Sequence, residues 1–320
     1  MNRLIVTVIH DLPETHRARI LEAAGSHGFE CRFFSEPSEA MPFLEGAEII
    51  LGSDPVLSRN APNLRWMCSH FAGNDPFLAP DAFANPEAML SNSSGAYGVT
   101  ISEHVVMMLL EILRRRDEYR AAVGRHEWLR RLPVRSIFGS RITLLGTGDI
   151  GRETLQRLRS FEPAFVAGVN RSGRDPGNLF DRILPGGRIN EILPETDILV
   201  ASLPATPETF HLVAEEQLKC LPDDAVVINV GRGSVIDQAA LEKELRSGRL
   251  YAGLDVFETE PVPPGSTLWT CPHLLITPHV AGDTTLPHTL DRIVDLFIAD
   301  LDRYCAGRPL AGLVDRRIGY

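Results

Sequence analysis

The chain has 320 residues, 44% of them hydrophobic and 23% charged, with a formal net charge of −10. That length favours two domains, each able to bury its own core, and the acidic balance opposes general affinity for nucleic acid or anionic membranes. No apolar run approaches the roughly 18 residues of a membrane span, and the N-terminal MNRLIVTVIHDLPETH reaches an acid and a proline too early for a signal peptide. Cys31, Cys68, Cys220, Cys271 and Cys305 are scattered without a CxxC pair. Neither a metal site nor a disulfide framework is therefore expected. Reduced thiols in a cytoplasmic protein are.

In chain order, LIVTVI (4–9) reads as a strand rich in β-branched residues. A helix should follow, with Asp11 and Glu14 as a capping box, Pro13 in the first turn and Gly25 at the stop. EIILG (48–52) and LRWMCS (64–69) read as further strands of a parallel α/β sheet. A long helix is predicted from Thr100, again with capping-box spacing to Glu103. Its apolar face is Val105, Val106, Leu109, Ile112 and Leu113, and Arg114, Arg115 and Arg116 read as its solvated end. The stretch 125–140 breaks the pattern and reads as an arm or linker. A second α/β unit follows, with strands in RITLL, FVAGVN, DILVAS, AVVINV and LLITPH and a helix over 237–248. A last helix spans about 284–306.

GTGDIG follows the apolar strand ITLL and opens a helix, the context that makes a glycine-rich turn credible as a dinucleotide site. Gly146 would allow the tight turn, Gly148 the approach of a pyrophosphate, and Gly151 close packing of helix on strand. An acid near position 170 would then hold the ribose of NAD. The sequence there is instead Asn170, Arg171, Ser172, with Arg174 beyond. An acid would repel the 2′-phosphate of NADP, whereas these residues can donate to it. The expectation is a preference for NADP, with NAD usable; the alternative is an exposed polar turn.

Three downstream strands end in unusual residues. VVINVGRGSVID puts Arg232 after a β-branched run, AGLDVFETEP leads to Asp255, Glu258 and Glu260, and LLITPHVAG leads to His279. In open parallel sheets, ligands bind at such strand ends. A 2-keto acid needs a cation for its carboxylate and carbonyl, a proton donor for the forming alkoxide, and a hydride from nicotinamide. Arginine and histidine suit the first two needs, and a carboxylate beside the histidine would favour its protonated form.

With GTGDIG, SLPATPET (202–209), NVGRGSVID, GLDVFETEP and ITPHVAG in this order, nearly the whole chain resembles the D-isomer-specific 2-hydroxyacid dehydrogenases. The glyoxylate/hydroxypyruvate reductase-like and phosphoglycerate dehydrogenase-like branches are nearest in the shape of the motif set. The resemblance implies that Arg232 binds the substrate carboxylate and carbonyl, that His279 is the acid/base with Glu260 as partner, and that Asp255 contacts the nicotinamide carboxamide. Asp149, Ile150, Leu203, Pro204, Val230 and Gly231, in or beside the matched motifs, complete the cofactor set. Gly231 stands where many members have Ala, a change expected to be small. SHFAGNDPF (69–77) takes the place of the substrate loop, with N–H groups around Ala72, Gly73 and Asn74 for the carboxylate.

The resemblance further implies two Rossmann-like domains with the active site in their cleft and hinge closure before hydride transfer. The substrate domain would be 1–100 with 284–320, and the nucleotide domain 101–283. It also implies a homodimer, with the segment after the long helix at the interface. A formate dehydrogenase-like activity is disfavoured, since those relatives pair the histidine with Gln. A nucleotide-sensing corepressor or scaffold remains the reading from another class.

Overall fold

The computed structural model describes residues 3–319 and divides them at Tyr97/Gly98 and at Asp283/Thr284. The first unit holds the residues through Tyr97 with those from Thr284 onward. Its sheet comprises β1 (Arg3–Val8), β2 (Phe29–Phe34), β3 (Ala47–Leu51), β4 (Trp66–Cys68) and β5 (Met89–Ser91), in the order β2-β1-β3-β4-β5. Every pairing is parallel, and the order is one of the two common doubly wound arrangements. Side chains alternate between faces, and here both faces are covered. Ile5, Ile49 and Trp66 pack beneath the helices Glu14–Ser26 and Pro287–Cys305, with Ile20 and Phe297 against them. Their neighbours Val6, Ile50 and Met67 pack on the opposite side with Leu44, Leu57 and Phe77. Double burial is why these strands read as continuous apolar runs.

The second unit, Gly98–Asp283, carries seven parallel strands. They are β6 (Arg141–Leu145), β7 (Phe165–Asn170), β8 (Arg182–Pro185), β9 (Ile198–Ala201), β10 (Val226–Asn229), β11 (Tyr251–Leu254) and β12 (Leu274–Ile276). Their order is β12-β11-β10-β9-β6-β7-β8. Numbered within the unit, this is the dinucleotide-fold order with one strand added, and the order reverses between β6 and β9. Because all pairings are parallel, every strand ends at the same sheet edge. The helix Gly98–Leu113 buries Val105, Met108, Leu109 and Leu113. Gly253 in β11 lets it approach, since a Cβ there would lie 3.2 Å from Met108 Cε.

The α/β reading of the sequence holds, but several local expectations do not. Asp11 is not an N-cap: it has a left-handed φ of 50°, and the helix begins at Glu14 after Pro13. Thr100 lies inside its helix, which starts at Gly98. There the Gly98 N–H finds the Asp149 carboxylate, 2.8 Å away, as its acceptor. Arg116 is not a helix end. Arg115 turns left-handed at φ 57°, and a second helix, Arg116–Gly124, begins. Strands β2, β5 and β8, at sheet edges, add to those expected. Residues 125–140 contain neither helix nor strand and leave Trp128 and Phe138 exposed. Among the described residues, no helix is long and apolar enough to cross a membrane, and no group of three metal-ligating side chains is assembled.

Candidate active site

The glycine turn leaves β6 at Leu145. Gly146 has φ 101°, and a Cβ on it would lie 2.9 Å from both Ser202 O and Ser202 Oγ. A Cβ on Gly151 would lie only 2.1 Å from Gly146 O, so this position packs the helix Asp149–Arg159 onto the turn. Gly148 is the N-cap of that helix, and its Cβ direction is open, with no heavy atom within 4 Å. First-turn N–H groups lack intrahelical acceptors and carry the positive end of the helix dipole. An open, N–H-lined corner at a helix start fits a pyrophosphate. Ile150 lies in this first turn. Asp149 does too, but its carboxylate is turned to Gly98 N.

At the end of β7, Asn170 folds the following loop onto itself. Its Nδ2 donates to Thr147 Oγ1 (2.8 Å) and Arg174 O (2.9 Å), and its Oδ1 accepts from Gly173 N (2.7 Å) and Ser172 Oγ (3.3 Å). The amide therefore clasps the loop to the glycine turn, while Arg171, Ser172 and Arg174 are exposed.

The next loops are stacked backbone on backbone. A Cβ on Gly231 would lie 2.6 Å from Leu203 N and O, and one on Gly233 would lie 1.9 Å from Phe257 C. Alanine at 231 is thus not the small change the sequence suggests in this chain, because the main chain beside Pro204 passes too close. Val230 is buried and bonded to Ala201 O through its N–H. Asn229 fixes the turn beyond it: Oδ1 accepts from Gly231 N (3.1 Å) and Nδ2 donates to Arg232 O (2.9 Å). Arg232 Nη1 also donates to Gly231 O at 2.8 Å. Asn229 was not singled out from the sequence, although an amide ending an apolar strand was a usable signal.

His279 and Glu260 meet directly, with Nδ1 2.6 Å from Oε2. Phe257 N donates to Glu260 Oε1 at 2.8 Å, which aims the carboxylate. Glu258, two residues earlier, bonds elsewhere: its Oε1 lies 2.9 Å from His211 Nε2 and accepts from Gln238 N at 3.1 Å. With Nδ1 facing Glu260, the His279 nitrogen left for a reacting partner is Nε2. The ring is half exposed. Asp255 is buried and turned into the 277–281 turn, accepting from Thr277 Oγ1, Val280 N and Ala281 N.

In the first unit, the loop after β4 is clamped through its carbonyls. Ser93 Oγ donates to Ser69 O, Tyr97 Oη to His70 O, Ser93 N to Phe71 O and Asn92 Nδ2 to Ala72 O. These clamps do not use the N–H groups of Ala72, Gly73 or Asn74. The Asn74 side chain is buried, and its Nδ2 donates to Gly319 O at 3.3 Å.

Residues 106–281 match the family model described as "D-isomer specific 2-hydroxyacid dehydrogenase, NAD binding domain". The chain is 28% identical over 289 residues to glyoxylate/hydroxypyruvate reductase B of Serratia proteamaculans, covering 87% of this chain and 88% of that one. Its fold superposes on a D-isomer specific 2-hydroxyacid dehydrogenase family protein from Aeromonas salmonicida with a TM-score of 0.86, at 32% identity over 99% of this chain and all of that one. An NADPH-dependent glyoxylate/hydroxypyruvate reductase from Sinorhizobium meliloti, solved with NADP and sulfate, gives a TM-score of 0.83 at 28% identity, covering 99% and 100% of the two chains. The glycine turn, the strand-end loops and the His279–Glu260 pair all fall within the matched segment. On sequence and fold together, the chain belongs to the D-isomer specific 2-hydroxyacid dehydrogenase family.

Proposed function

We propose that this protein reduces a small 2-keto acid to the D-2-hydroxy acid with NADPH, NADH being a poorer donor. The observation that carries the reading is the 2.6 Å His279–Glu260 pair at the sheet edge that also holds the Arg232 loop and the glycine turn. Arg232 binds the carboxylate and carbonyl oxygens of the keto acid. N–H groups of Ala72, Gly73 and Asn74 bind its carboxylate. His279 gives the Nε2 proton to the carbonyl oxygen as it becomes an alkoxide. Glu260 stabilises the imidazolium and holds the ring in the tautomer that presents Nε2. The nicotinamide, when bound, supplies the hydride. Gly146, Gly148, Ile150 and Gly151 hold the pyrophosphate, with Asp149 bracing the helix start. Leu203, Pro204, Val230 and Gly231 pack along the nucleotide, and Asp255 keeps the His279 turn in place beside the carboxamide.

NADP preference follows from the loop at 170–174. Arg171, Ser172 and Arg174 offer donors where an acid would repel the 2′-phosphate. The naming of one structural relative as NADPH-dependent supports this. Glyoxylate and hydroxypyruvate are the proposed substrates, in line with the names of relatives. A homodimer formed through the arm at 125–140 would cover Val123, Trp128 and Phe138, which are 70%, 85% and 67% exposed. The proposed location is the cytoplasm.

Initial rates with a panel of small 2-keto acids, each with NADPH and NADH, test the reading. Oxidation of NADPH with glyoxylate or hydroxypyruvate, at higher kcat/KM than with NADH, is expected. Tight nucleotide binding without turnover on any keto acid would instead mark a nucleotide sensor.

A further inference from the structure

The turn that carries His279 is held from beneath by a buried carboxylate. Asp255 is 1% exposed, and a carboxylate so placed needs donors. Its Oδ1 accepts from Thr277 Oγ1 (2.6 Å) and Val280 N (3.0 Å), and its Oδ2 from Ala281 N (3.0 Å). Its main-chain oxygen accepts from His279 N at 2.8 Å. These bonds bracket His279, whose φ of 54° lies in the left-handed region. Histidine enters this region more readily than most side chains, but at a cost that the surrounding bonds offset.

The bonds extend one residue further, to the helix Gly98–Leu113. His104 Nε2 lies 2.9 Å from Thr277 Oγ1 and 3.7 Å from Asp255 Oδ1. A hydroxyl has one hydrogen, and Thr277 gives it to Asp255. Its oxygen must then accept from His104, which requires the Nε2–H tautomer. Partial burial lowers the tendency of this imidazole to take a second proton, against the pull of Asp255.

We propose that His104 is a positioning residue for the reduction: through Thr277 and Asp255 it fixes the 277–281 turn and thereby the ring of His279. The proposal rests on the keto-acid reductase reading above. His104 acts through Thr277 and not on the substrate, so its loss should slow turnover while sparing nucleotide binding.

The test compares His104→Leu, His104→Gln, Thr277→Val and the Leu/Val double variant, with thermal melting as a control for folding. In His104→Leu, kcat should fall on the order of 10- to 100-fold through misplacement of the acid. The dissociation constant for NADPH, read by fluorescence, should stay within about threefold. His104→Gln restores an N–H at similar reach and should recover most of kcat. Thr277→Val should match His104→Leu, and the double variant should be no worse than the poorer single, as expected for one chain of contacts. Wild-type kcat in His104→Leu, no recovery in His104→Gln, or additive losses would overturn the proposal. Nitrogen NMR of the unmodified protein gives a readout that needs no turnover. It should find His104 protonated on Nε2, with that signal shifted in Thr277→Val; protonation on Nδ1 would refute the network. If the wild type reduces no keto acid, the reductase reading fails by itself, and the NMR result decides the network.

Discussion

Where many dinucleotide-binding chains carry an acid, Asn170 spends its amide inside the protein. One hydrogen goes to Thr147 Oγ1 and one to Arg174 O. An Asp there could still accept from Gly173 N and Ser172 Oγ, but it would set a negative charge against the Arg174 carbonyl. Asn170→Asp should therefore open the loop as well as repel the 2′-phosphate. NADPH binding is expected to weaken by roughly tenfold or more, from about 1 kcal/mol for the lost hydrogen bond plus the charge term. NADH should gain no comparable affinity. Titrations with both nucleotides check this, and a clean exchange of preference would show that loop shape is not what the amide controls. At the proposed acid/base position, His279→Ala should remove turnover while leaving nucleotide affinity nearly unchanged. Single-turnover rates alongside binding measurements would expose the error if substantial chemistry survived.

At three places on the sheet edge of the second unit, neighbouring loops pass so close that only glycine fits between them. Gly146 faces Ser202, Gly231 faces Leu203, and Gly233 faces Phe257. Each glycine joins the loop of one strand to the loop of its neighbour. A methyl group at 233 would have to displace the Phe257–Glu258 peptide and so shift Phe257, whose own N–H aims Glu260. Gly233→Ala is expected to destabilise the fold by about 1–3 kcal/mol as overpacking and to lower kcat more than it weakens nucleotide binding. Denaturant midpoints and steady-state kinetics measure the two effects. A variant with unchanged stability and activity would mean that the close approach relaxes at no cost.

For the folded molecule as a whole, acid sensitivity has an identifiable source in the first unit. Burial pushes the His70 imidazole down to about 4 from its usual 6.5. The unfolded chain takes up this proton near 6.5, so between the two values it binds more protons than the folded chain. Stability of the first unit therefore rises with pH across that window and is lost as acid is added, by on the order of 3 kcal/mol from this group. Trp66 is fully buried in the same unit and reports its unfolding. The fall in its urea midpoint between pH 6.5 and 4 should be smaller in His70→Gln than in the wild type. Equal falls would assign the sensitivity to other groups.

The parallel α/β class, the glycine turn and the strand-end residues Arg232 and His279 were legible as local patterns of strand, turn and helix read over a dozen residues, while Glu260 was set apart from Glu258 only by the family resemblance. Edge strands β2 and β8 were not identified: the four residues of β8 are ambiguous until a neighbour pairs with them, whereas the alternating FECRFF of β2 was a usable signal. Helix starts at Glu14 and Gly98 were misplaced for a related reason: the acceptor for Gly98 N is Asp149, 51 positions away. The supports of the site lay outside the sequence's reach in the same way. His104 meets Thr277 across 173 positions and Asn170 meets Thr147 across 23. Sequence specifies which chemical groups a segment carries and how its backbone turns. Which groups from distant segments share a hydrogen bond is decided only when packing of the sheet and helices brings them within about 3 Å.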